Sequence, residues 1–121
     1  MPELSLAESF EVAFDEQARR WLDEHPSQDA LVIAYEHSRC CGGGHLRDLR
    51  LRRGRDKDER SKRLLNIGEI AGRPLLLDRR IMPRLPRVIP ITVGGLGLFR
   101  GLHLDFSGEE WARLLYDQKP A

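Results

Sequence analysis

The residues with the clearest capacity for chemistry are two adjacent thiols, Cys40 and Cys41, which run straight into Gly42-Gly43-Gly44 and are flanked by His37 and His45. They are the only cysteines in 121 residues, and because neighbours in the chain cannot close a loop, they are not a stabilising crosslink. Thiolates prefer zinc, copper(I) and iron–sulfur units, so the pair is a candidate ligand set for a soft metal ion or an iron–sulfur cluster, with His37 and His45 as optional further ligands. The spacing departs from the common Cys-x2-Cys pattern. Four ligands within nine residues would crowd one ion, whereas a site shared between two copies asks only two sulfurs of each chain. Side chains of successive extended residues point to opposite faces, so both thiols can address one centre only where the chain bends. Gly42, Gly43 and Gly44 permit that bend and present backbone N–H groups, which with Arg39 would stabilise thiolates or a bound anion. Arg47 would add to this effect if it pointed inward.

Two other roles compete for the same residues. Oxidation of the pair would form a vicinal disulfide across a Cα separation of about 3.8 Å, shorter than the usual range of roughly 4.4 to 6.8 Å. Such a bond is strained and easily reduced, which suits a dithiol switch, with Cys40 and Cys41 as its reacting residues. Alternatively the cysteines are small apolar fillers behind a glycine turn, and the chain is a structural or interaction subunit that works through a basic surface. The remaining histidines, His25 before a proline and His103 in an apolar stretch, read as surface or paired residues. No phosphate-binding glycine loop with its lysine, serine or histidine nucleophile signature, or zinc-protease helix is present, so the expected activity is non-hydrolytic.

The formal charge of +1 hides a segregation. Residues 1–36 carry 2 basic and 9 acidic side chains, residues 37–100 carry 16 and 6, and residues 101–121 carry 2 and 4. The basic middle could recruit an acidic protein partner, while its scattered arginines give no reason to expect a nucleic acid. No apolar run approaches the roughly 20 residues of a membrane helix. The N-terminus lacks the basic region and long apolar run of an export signal, so the expectation is a soluble, cytoplasmic protein with no membrane association.

The elements that must position the thiols follow from periodicity. Phe10 to Phe14 alternates as a half-buried strand, and Asp15 offers an N-cap to a helix over Glu16 to Glu24, with Ala18, Trp21 and Leu22 on its apolar stripe. That helix ends at His25-Pro26. Asp29 to Glu36 is apolar on both faces, as a central strand would be. Leu46 to Arg53 alternates Leu49 and Leu51 with Arg50 and Arg52, which predicts a strand pairing back on its predecessor with a cationic outer face. Gly54 to Lys62 is dense in charge and predicts an exposed loop that buries nothing. Leu64 to Ile70 and Pro74 to Asp78 form a hairpin around Ala71-Gly72-Arg73. Arg79 to Arg87, with two prolines, allows one irregular turn. Strands follow at Val88 to Val93 and Phe99 to Phe106, then a helix opened by a Ser107-to-Glu110 capping box and packed through Trp111, Leu114 and Leu115. Asp117 to Ala121 should fray. The pattern predicts a single β-rich α+β domain over residues 1–121, core about 10–116, with short antiparallel or mixed strands and one helix near each end.

This layout resembles the HesB-like family, the fold of A-type iron–sulfur carriers. The stretches Phe10-Glu11-Val12, Ala18 to Leu22, Ala30 to Ile33, Cys40 to Gly43 and Pro74 to Asp78 look like its small branch carrying a Cys-Cys or Cys-selenocysteine pair, with the likeness covering about residues 10–106. It implies a thiol loop projecting from a sheet and a homodimer around the loop, while a role in iron–sulfur or metal homeostasis is the expectation drawn from the thiols themselves. A-type carriers also have a C-terminal Cys-x-Cys element. Here the corresponding stretch reads Leu102-His103-Leu104-Asp105-Phe106, so the ordinary three-cysteine site is absent and the pair must act alone, through a second copy, or as a dithiol.

Overall fold

The computed structural model describes residues 10–39, 45–95 and 101–115. In chain order these form β1 (Glu11–Phe14), α1 (Glu16–Glu24), β2 (Leu31–Arg39), β3 (His45–Arg53), β4 (Leu64–Ile70), β5 (Arg73–Asp78), β6 (Val88–Gly94), β7 (Gly101–Leu104) and α2 (Gly108–Leu115). Short 3-10 helices lie at Asp56–Arg60 and Met82–Arg84. The class is α+β and β-rich, with one helix near each end, as the periodicity predicts.

Local chemistry sets the element ends. Asp15 is extended and one of its carboxylate oxygens accepts from the Ala18 N–H at 2.8 Å, capping α1. Its other oxygen accepts from the Thr92 hydroxyl in β6, and that bond, with the cap, holds the Asp15 carboxyl below its ordinary range. At the other end of α1, the His25 N–H returns to the carbonyls of Trp21 and Leu22. The β4–β5 turn places Ala71 at φ +52° and Gly72 at φ +79°, the left-handed pair of a two-residue hairpin. In α2 the capping box is reciprocal: the Glu110 N–H donates to Ser107 Oγ at 3.1 Å and the Ser107 N–H to Glu110 Oε1 at 2.9 Å.

The strands form two sheets, in the orders β1-β6-β7 and β3-β2-β5-β4. β1 is parallel to β6 and β2 to β5, and the other pairings are antiparallel. One buried cluster draws on both sheets and both helices, including Ala18, Leu22, Ile33, Leu75, Leu77, Ile89, Ile91, Leu104 and Leu114. The opposite face of β2 and β5 buries a smaller cluster of Ala30, Val32, Ala34 and Leu76. Burial on both faces explains why β2 is apolar without alternation.

One expectation fails. The segment after β3 does not hang free: the Gly54 N–H donates to the Ala30 carbonyl at 2.7 Å, and a Cβ on Gly54 would lie 3.0 Å from Ala30. Asp58 is 5% exposed and accepts from Arg52 Nη1 at 2.8 Å, Arg52 Nη2 at 3.0 Å and the Arg55 N–H at 2.6 Å. Hydropathy counts these groups as charges. A buried carboxylate with three donors is instead a folding contact that orders its segment.

Candidate thiol site

β2 and β5 are in register only from Leu31↔Leu75 to Ile33↔Leu77, whereas β2 and β3 remain paired to Arg39↔His45. Beyond Ile33 the two strands therefore run on as a ribbon, and its six further β2 residues span about 20 Å at strand rise. Such a ribbon is marginal alone; Leu49 and Tyr35 pack its base on the core, and two arginines anchor it. On one side Arg80, in the turn after β5, donates from Nη2 to the Tyr35 carbonyl at 2.7 Å, with its guanidinium 5.2 Å from the Tyr35 ring centroid. Asp78 fixes Arg80 through both carboxylate oxygens, raising the arginine further above its ordinary range. On the other side Arg47 Nη1 donates to the Leu115 carbonyl at 3.3 Å, a cation on the carbonyl end of α2.

Cys40, Cys41, Gly42, Gly43 and Gly44 lie outside the described residues, as do the side chains of Arg39 and His45. These five residues join Arg39 to His45, which are register partners at the end of the ribbon. His37 sits opposite Arg47, is exposed, and borders a polar cleft of about 370 Å³ between the ribbon and the end of β5, together with Arg52, Asp58, Arg63 and Arg80. Among the described residues no group of three or more His, Cys, Asp and Glu side chains is disposed to hold a metal. Arg47, expected as a possible influence on the thiols, is engaged with α2. His25 stacks on Trp21 at a 4.2 Å centroid distance, with Nδ1 2.9 Å from the Trp21 carbonyl, and His103 packs against Gly94, where a Cβ would come within 2.9 Å of the ring.

Four arginines of the basic middle are paired with carboxylates. Arg50 pairs with Asp48, Arg52 with Asp58, Arg53 with Asp29 and Arg80 with Asp78. Sequence reasoning misses Arg52 and Asp58 as a pair because their contact depends on the 3-10 turn between them. For Asp78 and Arg80, the Asp-x-Arg spacing at a turn was the available signal.

Among the described residues no helix is long and apolar enough to cross a membrane. No protein-family model matches the chain, and no curated protein matches it. Among solved structures it is similar to Escherichia coli SufA, described as involved in biosynthesis of iron–sulfur clusters, at 16% identity and a TM-score of 0.39 over 78% of this chain and 79% of that one.

Proposed function

We propose that this chain is a non-hydrolytic thiol protein that binds a soft metal ion or an iron–sulfur unit through Cys40 and Cys41, in iron–sulfur or metal homeostasis, as a HesB-like chain of the Cys-Cys branch. The observation that carries the reading is the register of β2 and β3 up to Arg39↔His45, which makes the Cys-Cys-Gly-Gly-Gly segment the link across the end of a buttressed ribbon. Two thiolates suit soft metals chemically, and a tetrathiolate centre is completed when two copies each contribute a pair. The cluster or ion would be held by Cys40 and Cys41, with Arg39 and the amides of Gly42, Gly43 and Gly44 offsetting thiolate charge and His37 or His45 as optional ligands. The chain acts as one domain and dimerises around this segment. Lys57, Arg60, Lys62 and Arg63 are exposed and would meet an acidic protein partner.

Cobalt(II) titration tests the reading: sulfur-to-metal charge-transfer absorption should appear, saturate near one metal per two chains, and vanish in Cys40→Ser and Cys41→Ser. No charge-transfer band would sink it. If instead mild oxidation removes two hydrogens from the peptide carrying both cysteines, with no metal taken up at any stage, the pair is a redox dithiol. Silent thiols in both assays would leave a structural or interaction subunit.

A further inference from the structure

A second concavity lies at the opposite end of β2, where the N-terminal ends of β2 and β5, the C-terminal end of β3 and the end of α1 meet. It encloses about 400 Å³, room for a small organic molecule. Its apolar wall is made by Leu31, Leu51 and Leu102, with the stacked Trp21 and His25 at one side. Arg73, the first residue of β5, also lines it and is 4% exposed. Its guanidinium carries five donors, and no Arg73 nitrogen is both buried and unpartnered, so those beyond Nε reach accessible space. Among the described residues the Arg73 side chain makes one hydrogen bond, from Nε to the Asp29 carbonyl at 2.7 Å. The carboxylate of Asp29 is taken by Arg53 Nε at 2.9 Å, and Arg52, also on the wall, is matched by Asp58. Two cations, Arg53 and Arg73, thus share one carboxylate, and the cavity mouth holds a surplus positive charge beside an apolar, aromatic surface. Burial holds Arg73 below its ordinary range, with Asp29 opposing that shift and Arg53 adding to it, and a bound anion would favour the charged form.

We propose that this cavity is a binding site for a small apolar monocarboxylate, with the carboxylate on the outward face of Arg73 beside Arg53 and the hydrocarbon or ring against Trp21, His25 and Leu102. The opposite orientation is disfavoured, because the Trp21 and His25 side is the carbonyl end of α1, which repels an anion. The site is independent of the thiol reading.

The test titrates the full-length protein with 3-phenylpropionate and, separately, with its neutral counterpart 3-phenylpropionamide, following backbone and indole N–H resonances. The acid should bind saturably at millimolar concentration or below and shift the Trp21 indole. The amide should bind about tenfold or more weakly, and added salt should weaken the acid selectively. Arg73→Met should reduce the acid to the affinity of the amide. Should that variant fail to fold, the acid-to-amide ratio in the unaltered protein decides. Equal affinities, no binding at millimolar acid, or shifts centred away from Trp21 would overturn the proposal.

Discussion

Replacing Asp58 by Asn should cost stability in a way that depends on pH. Asp58 is buried, and its hydrogen bonds from Arg52, ahead of that from the Arg55 N–H, bring its carboxyl down from 3.8 to about 2. At about 1.4 kcal/mol per pH unit the difference amounts to about 2.4 kcal/mol, and solvent access to Arg52 trims it to about 2 kcal/mol. The folded value lies below the unfolded one, so this stability is fully present above about pH 5 and is lost as pH falls through 3.8 toward 2. By pH 3 the unfolded carboxyl is mostly protonated and the folded one is not, and about 1 kcal/mol of the contribution is gone. The substituted amide would keep the shape and the acceptor for the Arg55 N–H but would strand the half-buried Arg52. Urea unfolding at pH 7 should therefore place Asp58→Asn about 1.5 to 3 kcal/mol below the unaltered protein. The gap should narrow by about 1 kcal/mol at pH 3. Other carboxylates, Asp15 among them, titrate in both proteins and cancel in the difference. A gap that stays constant with pH, or one under about 0.5 kcal/mol at pH 7, would refute the assignment of Asp58 as a buried ion-pair partner.

Ala71 holds a left-handed conformation in the β4–β5 turn, so Ala71→Asn, which creates the favoured Asn-Gly pair, should stabilise the protein by about 0.5 to 1 kcal/mol in chemical denaturation. A destabilised variant would contradict that turn geometry. Ser107→Ala removes one half of the α2 capping box and should cost about 1 kcal/mol, with the loss of amide-exchange protection concentrated in Gly108–Leu115. Leu77 is wholly buried in β5, and Leu77→Ala should cost about 3 to 5 kcal/mol by urea unfolding. A loss under about 1 kcal/mol would mean that the shared core is not packed as described.

Much of the fold is legible in the sequence because its signals are local. Asp15 and Ser107 are short polar side chains set before apolar stripes, Ala71-Gly72 interrupts two apolar runs, and each behaves as its immediate neighbours dictate. The both-faces-apolar character of β2 also reports its central position. What escapes the sequence is decided by partners far along the chain. Local pattern ends β2 at Glu36, yet the strand continues to Arg39, because β3 supplies an in-register partner that no local propensity encodes. The charged segment after β3 reads as free loop, since a composition count cannot distinguish a solvated Asp58 from one gripped by Arg52. Arg73 gives no sign of burial, because the Asp29 carbonyl that its Nε meets lies 44 residues away. For the candidate site, the thiols, glycines and flanking histidines are plain in the sequence, as is the hairpin that carries them. The two anchors of that hairpin, Arg80 on the Tyr35 carbonyl and Arg47 on Leu115, need the folded chain.

In the proposed function, Cys40 and Cys41 together form the metal-binding or cluster-binding group. Anaerobic reconstitution with iron and sulfide, followed by iron and acid-labile sulfide analysis against chain concentration, tests it most directly. Visible sulfur-to-iron absorption and a cluster shared by two chains are expected, with loss of both in Cys40→Ser and in Cys41→Ser, while His37→Ala retains them. Iron and sulfide bound equally well by the two serine variants, or by neither those variants nor the unaltered protein, would contradict it.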